Sequence, residues 1–238
     1  MRRFLATICA VTLLGGCSGN TAAAPPAAPP AGTPTAAGDG ASATPTAAPT
    51  TASAGVTPTS STTPTDPEKL DRGLLRPEQL PGWRPAEFTD EPVDARVDPP
   101  ACSTVYDQSL GKVASDMGAT VAYTQDPLFL QEFVDLVDNG AKSVGEIEQS
   151  VGQCKEFTVD ENGEVTKFTA TPIPVPALGD KAFGLRLGVT GAEPAELLYV
   201  WVGHKDTLMM LHIDGDKVDQ AQLVDMATRA TDTLRAAI

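Results

Sequence analysis

The residues best able to do chemistry in this sequence are its histidines, its cysteines and a run of aspartates, and their spacing argues against most catalytic uses. His204 and His212 are the only histidines, eight positions apart, with no neighbouring carboxylate–histidine spacing that resembles a zinc site. They read as polar residues at the rim or on the solvent face of two strands. Ser109-Leu110-Gly111-Lys112 matches the SxxK of penicillin-binding proteins, but the SDN and KTG companions of that motif are absent. No GxSxG elbow occurs, and no suitable histidine stands ready to complete a serine triad. Asp214, Asp216 and Asp219, in HIDGDKVD, approach a calcium loop, yet the frame fails. Its sixth position falls on Asp219 instead of glycine and its twelfth on Asp225 instead of glutamate. These aspartates suit a turn that leads into the acidic first turn of a helix. Trp83 and Trp201 could line a ligand cleft. Trp201, inside an apolar run, reads as core, and Trp83 stands open between the two roles. Carboxylate pairs for glycoside cleavage cannot be picked from so many acidic residues, because their separation is a three-dimensional quantity. The sequence therefore assigns no catalytic residue, no metal ligand and no cofactor, and the residues of any ligand cleft stay unassigned.

The cysteines carry a different message. Met1-Arg2-Arg3 is a basic start and Phe4 to Leu14 an apolar stretch of eleven residues, too short to span a bilayer core as a helix. Leu14-Gly15-Gly16-Cys17 follows in the form of a bacterial lipobox. Residues 1–16 are thus expected to be a signal peptide, with Cys17 acylated on its sulfur and cleavage just before it. Several acyl chains hold a protein stably in a bilayer where one would not. The expected location is therefore the outer face of the cell membrane, with the bilayer itself as the first partner. Cys9 leaves with the leader. Cys102 and Cys154 remain as a pair in an exported domain, where a disulfide is the default. Metal ligation lacks a CxxC spacing, and a catalytic thiol fits poorly with an oxidising compartment.

Residues 17–66 hold the lipidated cysteine and a tether. From Thr21 to Asp66 the chain has 14 Ala, 12 Thr and 9 Pro, no aromatic residue and two charges. So little apolar area cannot offset the entropy of ordering, and disorder is expected. The composition fits an O-glycosylated stalk as well as a bare spacer.

The rest, residues 67–238, is large enough to bury a core without a metal. The whole chain carries a formal net charge of −14, and nearly all of its acidity lies in this part. Such a surface repels phosphate backbones, so nucleic acid is not an expected partner.

Coarse patterning places the elements that must position any site. Leu74 to Trp83 reads as a short helical turn stopped by Pro81-Gly82. A segment from near Cys102 to about Leu110 suits a helix, and Ala119–Tyr123 a strand. Phe129–Val137 fits neither period cleanly. Residues 141–153 put Val144, Ile147 and Val151 on one helical face and deliver Cys154 at its end. Glu156–Val159 and Val165–Thr171 flank Asn162-Gly163, a hairpin signal, and Pro172, Pro174 and Pro176 then interrupt the ladder. Ala182–Val189, Leu197–Val202 and Thr207–Ile213 give three more strands, the middle one apolar throughout and so covered on both faces. A helix from about Lys217 to Ala236 closes the chain, with Leu223, Met226, Ala227, Ala230 and Leu234 as its stripe. The expected fold class is α+β: a curved, mainly antiparallel sheet flanked by two or three helices, with one internal disulfide.

Taken together, these features resemble one actinobacterial envelope group. They are the lipobox, the Ala/Pro/Thr tether, the opening Leu74-Leu75-Arg76-Pro77-Glu78-Gln79-Leu80-Pro81-Gly82-Trp83, the Pro99-Pro100-Ala101-Cys102 segment, and a second cysteine closing a helix. Ala177-Leu178-Gly179-Asp180-Lys181-Ala182 before a strand and the terminal amphipathic helix complete the set. The group is similar to the extracellular sensor domain of PknH-like serine/threonine kinases, which also occurs in free-standing lipoproteins. The resemblance covers about residues 68–238. It implies an antiparallel sheet with flanking helices around a cleft for a small ligand. The kinase form carries two disulfides where this chain has cysteines for one, so no binding residue is carried across. The functional expectation is a monomeric, non-enzymatic envelope lipoprotein that binds a small molecule or an envelope protein in a sensing or accessory role. A cell-wall hydrolase working through carboxylates, and a purely structural docking module, are the alternatives.

Overall fold

The computed structural model describes residues 65–88, 94–110, 118–190, 194–215 and 217–238. The signal peptide, Cys17 and nearly all of the tether lie outside the described residues, as do Lys112 and Asp216.

Nine strands form one sheet, and every neighbouring pair is antiparallel. They are β1 (Arg84–Ala86), β2 (Ala95–Asp98), β3 (Ala119–Gln125), β4 (Leu128–Leu136), β5 (Glu156–Glu161), β6 (Glu164–Ile173), β7 (Lys181–Thr190), β8 (Ala195–His204) and β9 (Thr207–Gly215). Their order across the sheet is β1-β3-β4-β9-β8-β7-β6-β5-β2. Among the described residues four helices flank it: α1 (Pro67–Gly73), α2 (Ser103–Gln108), α3 (Gly140–Gln153) and α4 (Gln220–Ala237). None of the helices described is long and apolar enough to cross a membrane.

The helices divide between the two faces, so the central strands are buried on both. Alternation along β8 sends Leu198, Val200 and Val202 to a first face, where they meet Leu70 of α1 and Leu223, Ala227, Ala230 and Leu234 of α4. Tyr199 and Trp201 go to the second face, where they meet Val105 of α2 and Val144, Ile147 and Val151 of α3. The stripe expected on α4 is the buried one. Each fully buried Leu or Met contributes about 1.5–3 kcal/mol relative to exposure. Asp219 caps this helix by accepting the N–H of Ala221 at 2.9 Å.

Local chemistry fixes the connections. Asn139 accepts the N–H of Lys142 at 2.8 Å and so opens α3, whose end places Cys154 against Cys102 with their Cα atoms 5.5 Å apart in a disulfide. Asn162 and Gly163 take φ of 59° and 89°, which the tight β5–β6 turn requires. Gly203 on β8 and Gly140 on α3 touch backbone to backbone. A Cβ on either would run into the main chain of the other element.

Three expectations shift. The ambiguous run at Phe129–Val137 is strand β4, because its polar positions fall among residues buried on both faces. The flanking helices number four among the described residues, two of them too short to show a period. Pro172 does not end its strand: β6 runs to Ile173, with Pro172 opposite Leu185. Past Thr169 the β5 neighbour has ended, so a missing N–H leaves no partner unpaired on that side.

Candidate functional site

The central strands bury polar groups among apolar ones on the second face. Register puts Gln131 of β4, His212 of β9 and Tyr199 of β8 side by side in one row. Two positions along, Asp214 of β9 joins the same face between Phe129 and Leu197. Relative exposure is 4% for Gln131, 8% for His212, 8% for Asp214 and 1% for Tyr199, so all four are core positions.

Within this patch His212 is held from three directions. Its Nε2–H donates to Asp214 Oδ2 at 2.9 Å, since a carboxylate can only accept. Its ring stacks on Tyr199 with centroids 4.9 Å apart and planes 15° from parallel. Phe129 tilts against the other side at 6.4 Å. Burial, and then the charge of Asp214, push the Tyr199 phenol well above its ordinary pKa, so it stays an uncharged O–H. Two atoms here are buried and have no hydrogen-bond partner: Gln131 Nε2, a donor, and Asp214 Oδ1, an acceptor. Each such atom costs about 1–3 kcal/mol while it stays unsatisfied. The donor and the acceptor lie on adjacent strands beside the stacked rings.

The first face buries a carboxyl of its own. Glu132 is 1% exposed, and burial pushes its carboxyl up to about 8 even though the N–H of Leu75 donates to Oε2 at 2.8 Å. Tyr123 donates its O–H to the Leu75 carbonyl at 2.7 Å, so Glu132 and Tyr123 grip one peptide segment from both sides. A hydrolase working through carboxylates pairs a raised carboxyl, acting as acid, with a second, ionised one across a groove. Glu132 instead is committed to the backbone beneath α1.

The residues singled out in the sequence take separate places. His212 is not at a rim: the two-sided burial of β9 draws it into the core. His204 lies at the far end of the β8–β9 hairpin, its Nδ1 3.4 Å from Asp180 Oδ2. The Lys205 N–H donates to Asp180 at 2.7 Å and is the main cause that holds that carboxyl below its usual range. The structure therefore does not bring the two histidines together. Trp201 is core, its Nε1–H donating to the Gln108 carbonyl at 3.2 Å, and Trp83 is core as well, at 7% exposure in the first-face cluster. Ser109 spends its hydroxyl on the Val105 carbonyl. Asp214 points into the second-face patch while Asp219 caps α4, so the aspartate run does not act as one loop. Among the described residues no group of three His, Cys, Asp or Glu is arranged to hold a metal ion. Gln131, Glu132 and Tyr199 were not singled out. The signal for the first two was adjacent polar residues inside the apolar run Leu128–Leu136, which in a strand send one polar group to each buried face.

No protein-family model matches the chain, and no curated protein matches it either. Among solved structures, the X-ray structure of an uncharacterised Mycobacterium smegmatis protein, the Rv0999 ortholog, is similar at TM-score 0.44 and 13% identity, over 71% of this chain and 97% of that one. The crystal structure of the extracellular domain of PknH from Mycobacterium tuberculosis is similar at TM-score 0.57 and 14% identity, over 73% of this chain and 98% of that chain. The described domain thus has the fold of a PknH-like extracellular domain.

Proposed function

We propose that this protein is a lipid-anchored envelope protein whose domain binds a small polar ligand in an extracytoplasmic sensing or accessory role. The observation that carries the reading is the pair of buried, unpartnered atoms, Gln131 Nε2 and Asp214 Oδ1, beside the His212–Tyr199 stack. An unpartnered donor and an unpartnered acceptor on adjacent strands beside stacked rings support a partner that offers both, such as a hydroxylated small molecule. The lipobox at Leu14–Cys17 supports the anchor at Cys17. The shared fold with a domain described as extracellular supports the location outside the membrane. The proposed assembly is a monomer.

Native mass spectrometry of the full-length chain purified from membranes tests the ligand. A retained small molecule that is lost in Gln131→Leu and in Asp214→Ala supports the reading. Bare mass from several expression hosts, or a ligand retained equally by both variants, would sink it. Radiolabelled palmitate incorporated by the wild type and not by Cys17→Ser tests the anchor separately.

A further inference from the structure

A groove of about 730 Å³ lies on the first-face side, between α1 and the last turns of α4. Arg72 projects from α1, Arg76 and Gln79 from the turn after it, and Arg229, Asp232 and Thr233 from α4. Three of the seven arginines in residues 67–238 meet here, on a chain whose net charge is −14. Gly73 lets the two helices close on each other, for a Cβ there would stand 2.8 Å from Leu234 Cδ1.

Part of the groove is braced from within. Arg229 donates one N–H to the Gln79 carbonyl at 2.7 Å and another to Asp225 Oδ2 at 2.5 Å. The Gln79 amide donates to Thr233 Oγ1 at 2.7 Å, and its carbonyl oxygen accepts the backbone N–H of Arg76 at 2.8 Å. Asp232, the acidic member, leans toward Arg235 at 3.9 Å. The guanidiniums of Arg72 and Arg76 make no ion pair or hydrogen bond among the described residues. Other basic side chains among the described residues are unpaired too; what distinguishes this place is that two open guanidiniums and a third converge on one groove of an otherwise acidic domain.

We propose that this groove binds the phosphate group of a small phosphorylated ligand. Guanidinium forks match phosphate oxygens two at a time, and a phosphate has enough oxygens for several forks where a carboxylate has two. The volume lies within the range of small-molecule sites and leaves room for an organic part along Ala236 and Ala237. This site is separate from the second-face patch and does not depend on it. The phosphate comes either from a soluble phosphorylated metabolite or from a lipid headgroup.

The test uses the full-length chain carrying Cys17→Ser, so that no acyl chain attaches it to vesicles. Glucose 6-phosphate, with glucose as control, is titrated by calorimetry. Phosphatidylglycerol vesicles, with phosphatidylcholine as control, are assayed by cosedimentation. Binding to at least one phosphorylated probe and to neither control is expected. It should weaken about tenfold or more in Arg72→Gln/Arg76→Gln at an unchanged melting temperature. Arg84→Gln/Arg96→Gln removes the same charge elsewhere and should stay within about twofold of wild type. Arg72→Lys/Arg76→Lys should fall between. Binding to the sugar phosphate alone assigns a soluble source, and binding to vesicles alone a headgroup. The proposal is overturned if neither phosphorylated probe binds, or if both glutamine pairs lose affinity equally.

Discussion

The Leu75 N–H donates to Glu132 Oε2 at 2.8 Å, joining residues 57 apart in sequence inside the core of the first face. Together with the Tyr123 hydroxyl on the Leu75 carbonyl, this bond ties the segment after α1 to strands β3 and β4. The partner oxygen, Oε1, is buried with nothing to receive. Burial makes the carboxyl easier to accommodate protonated than charged and pushes it up to about 8 from 4.5, against the Leu75 N–H, which favours the charged form.

A pH dependence of stability follows. With the folded pKa above the unfolded one, the folded chain holds a proton that the unfolded chain has released between pH 4.5 and 8. The contribution is fully present below the unfolded value and is lost as pH rises through the folded one, by up to about 1.4 kcal/mol per pH unit. Thermal melts from pH 5 to 9 should show the wild-type melting temperature falling toward pH 8. Glu132→Gln, which keeps an oxygen for the Leu75 N–H, should fall less steeply. Parallel curves for the two proteins would refute the assignment.

The second-face patch predicts an opposition between stability and binding. Gln131→Leu removes a buried donor that has no partner, so the melting temperature should hold or rise by the equivalent of about 1 kcal/mol. The same change should abolish ligand retention. A clear drop in melting temperature without ligand would mean that Gln131 is satisfied in the free protein.

Loss of the Cys102–Cys154 bond should cost about 4 kcal/mol, because it closes a loop with a sequence separation of 52. The measurement is denaturant unfolding of the wild type with and without reductant, against Cys102→Ser/Cys154→Ser. The reduced wild type and the variant should coincide. A midpoint unmoved by reductant would show that the bridge adds nothing.

Gly203→Ala should be among the most damaging small substitutions in the domain. The new methyl group would meet the Gly140 main chain, and neither β8 nor the start of α3 can retreat without opening the sheet. A loss of about 1–3 kcal/mol or more is expected in chemical denaturation. Gly152→Ala, on α3 with nothing within 4 Å of the new methyl, should be neutral or mildly stabilising. Equal effects at the two positions would contradict the packing described here.

The sequence by itself determined most of the scaffold. The stripe of α4, the face of α3, the Asn162-Gly163 hairpin and strands β7, β8 and β9 were legible because each is a local periodic or turn signal. The pairing of Cys102 with Cys154 was legible because an exported domain with two cysteines has one obvious use for them. The sequence also fixed that acidity would gather on residues 67–238. What the tertiary structure alone decided is which polar residues become buried and what they meet. A strand pattern shows that Gln131 and Glu132 point opposite ways, but not that helices cover both faces. Covering both faces is what moves His212 from an expected rim into a stack on Tyr199 and brings Asp214 to its ring nitrogen. Likewise, Arg72, Arg76 and Arg229 are separated by up to 157 positions, and only the closure of α1 on α4 at Gly73 places them around one groove. Register and helix packing are long-range quantities, and no local spacing encodes them.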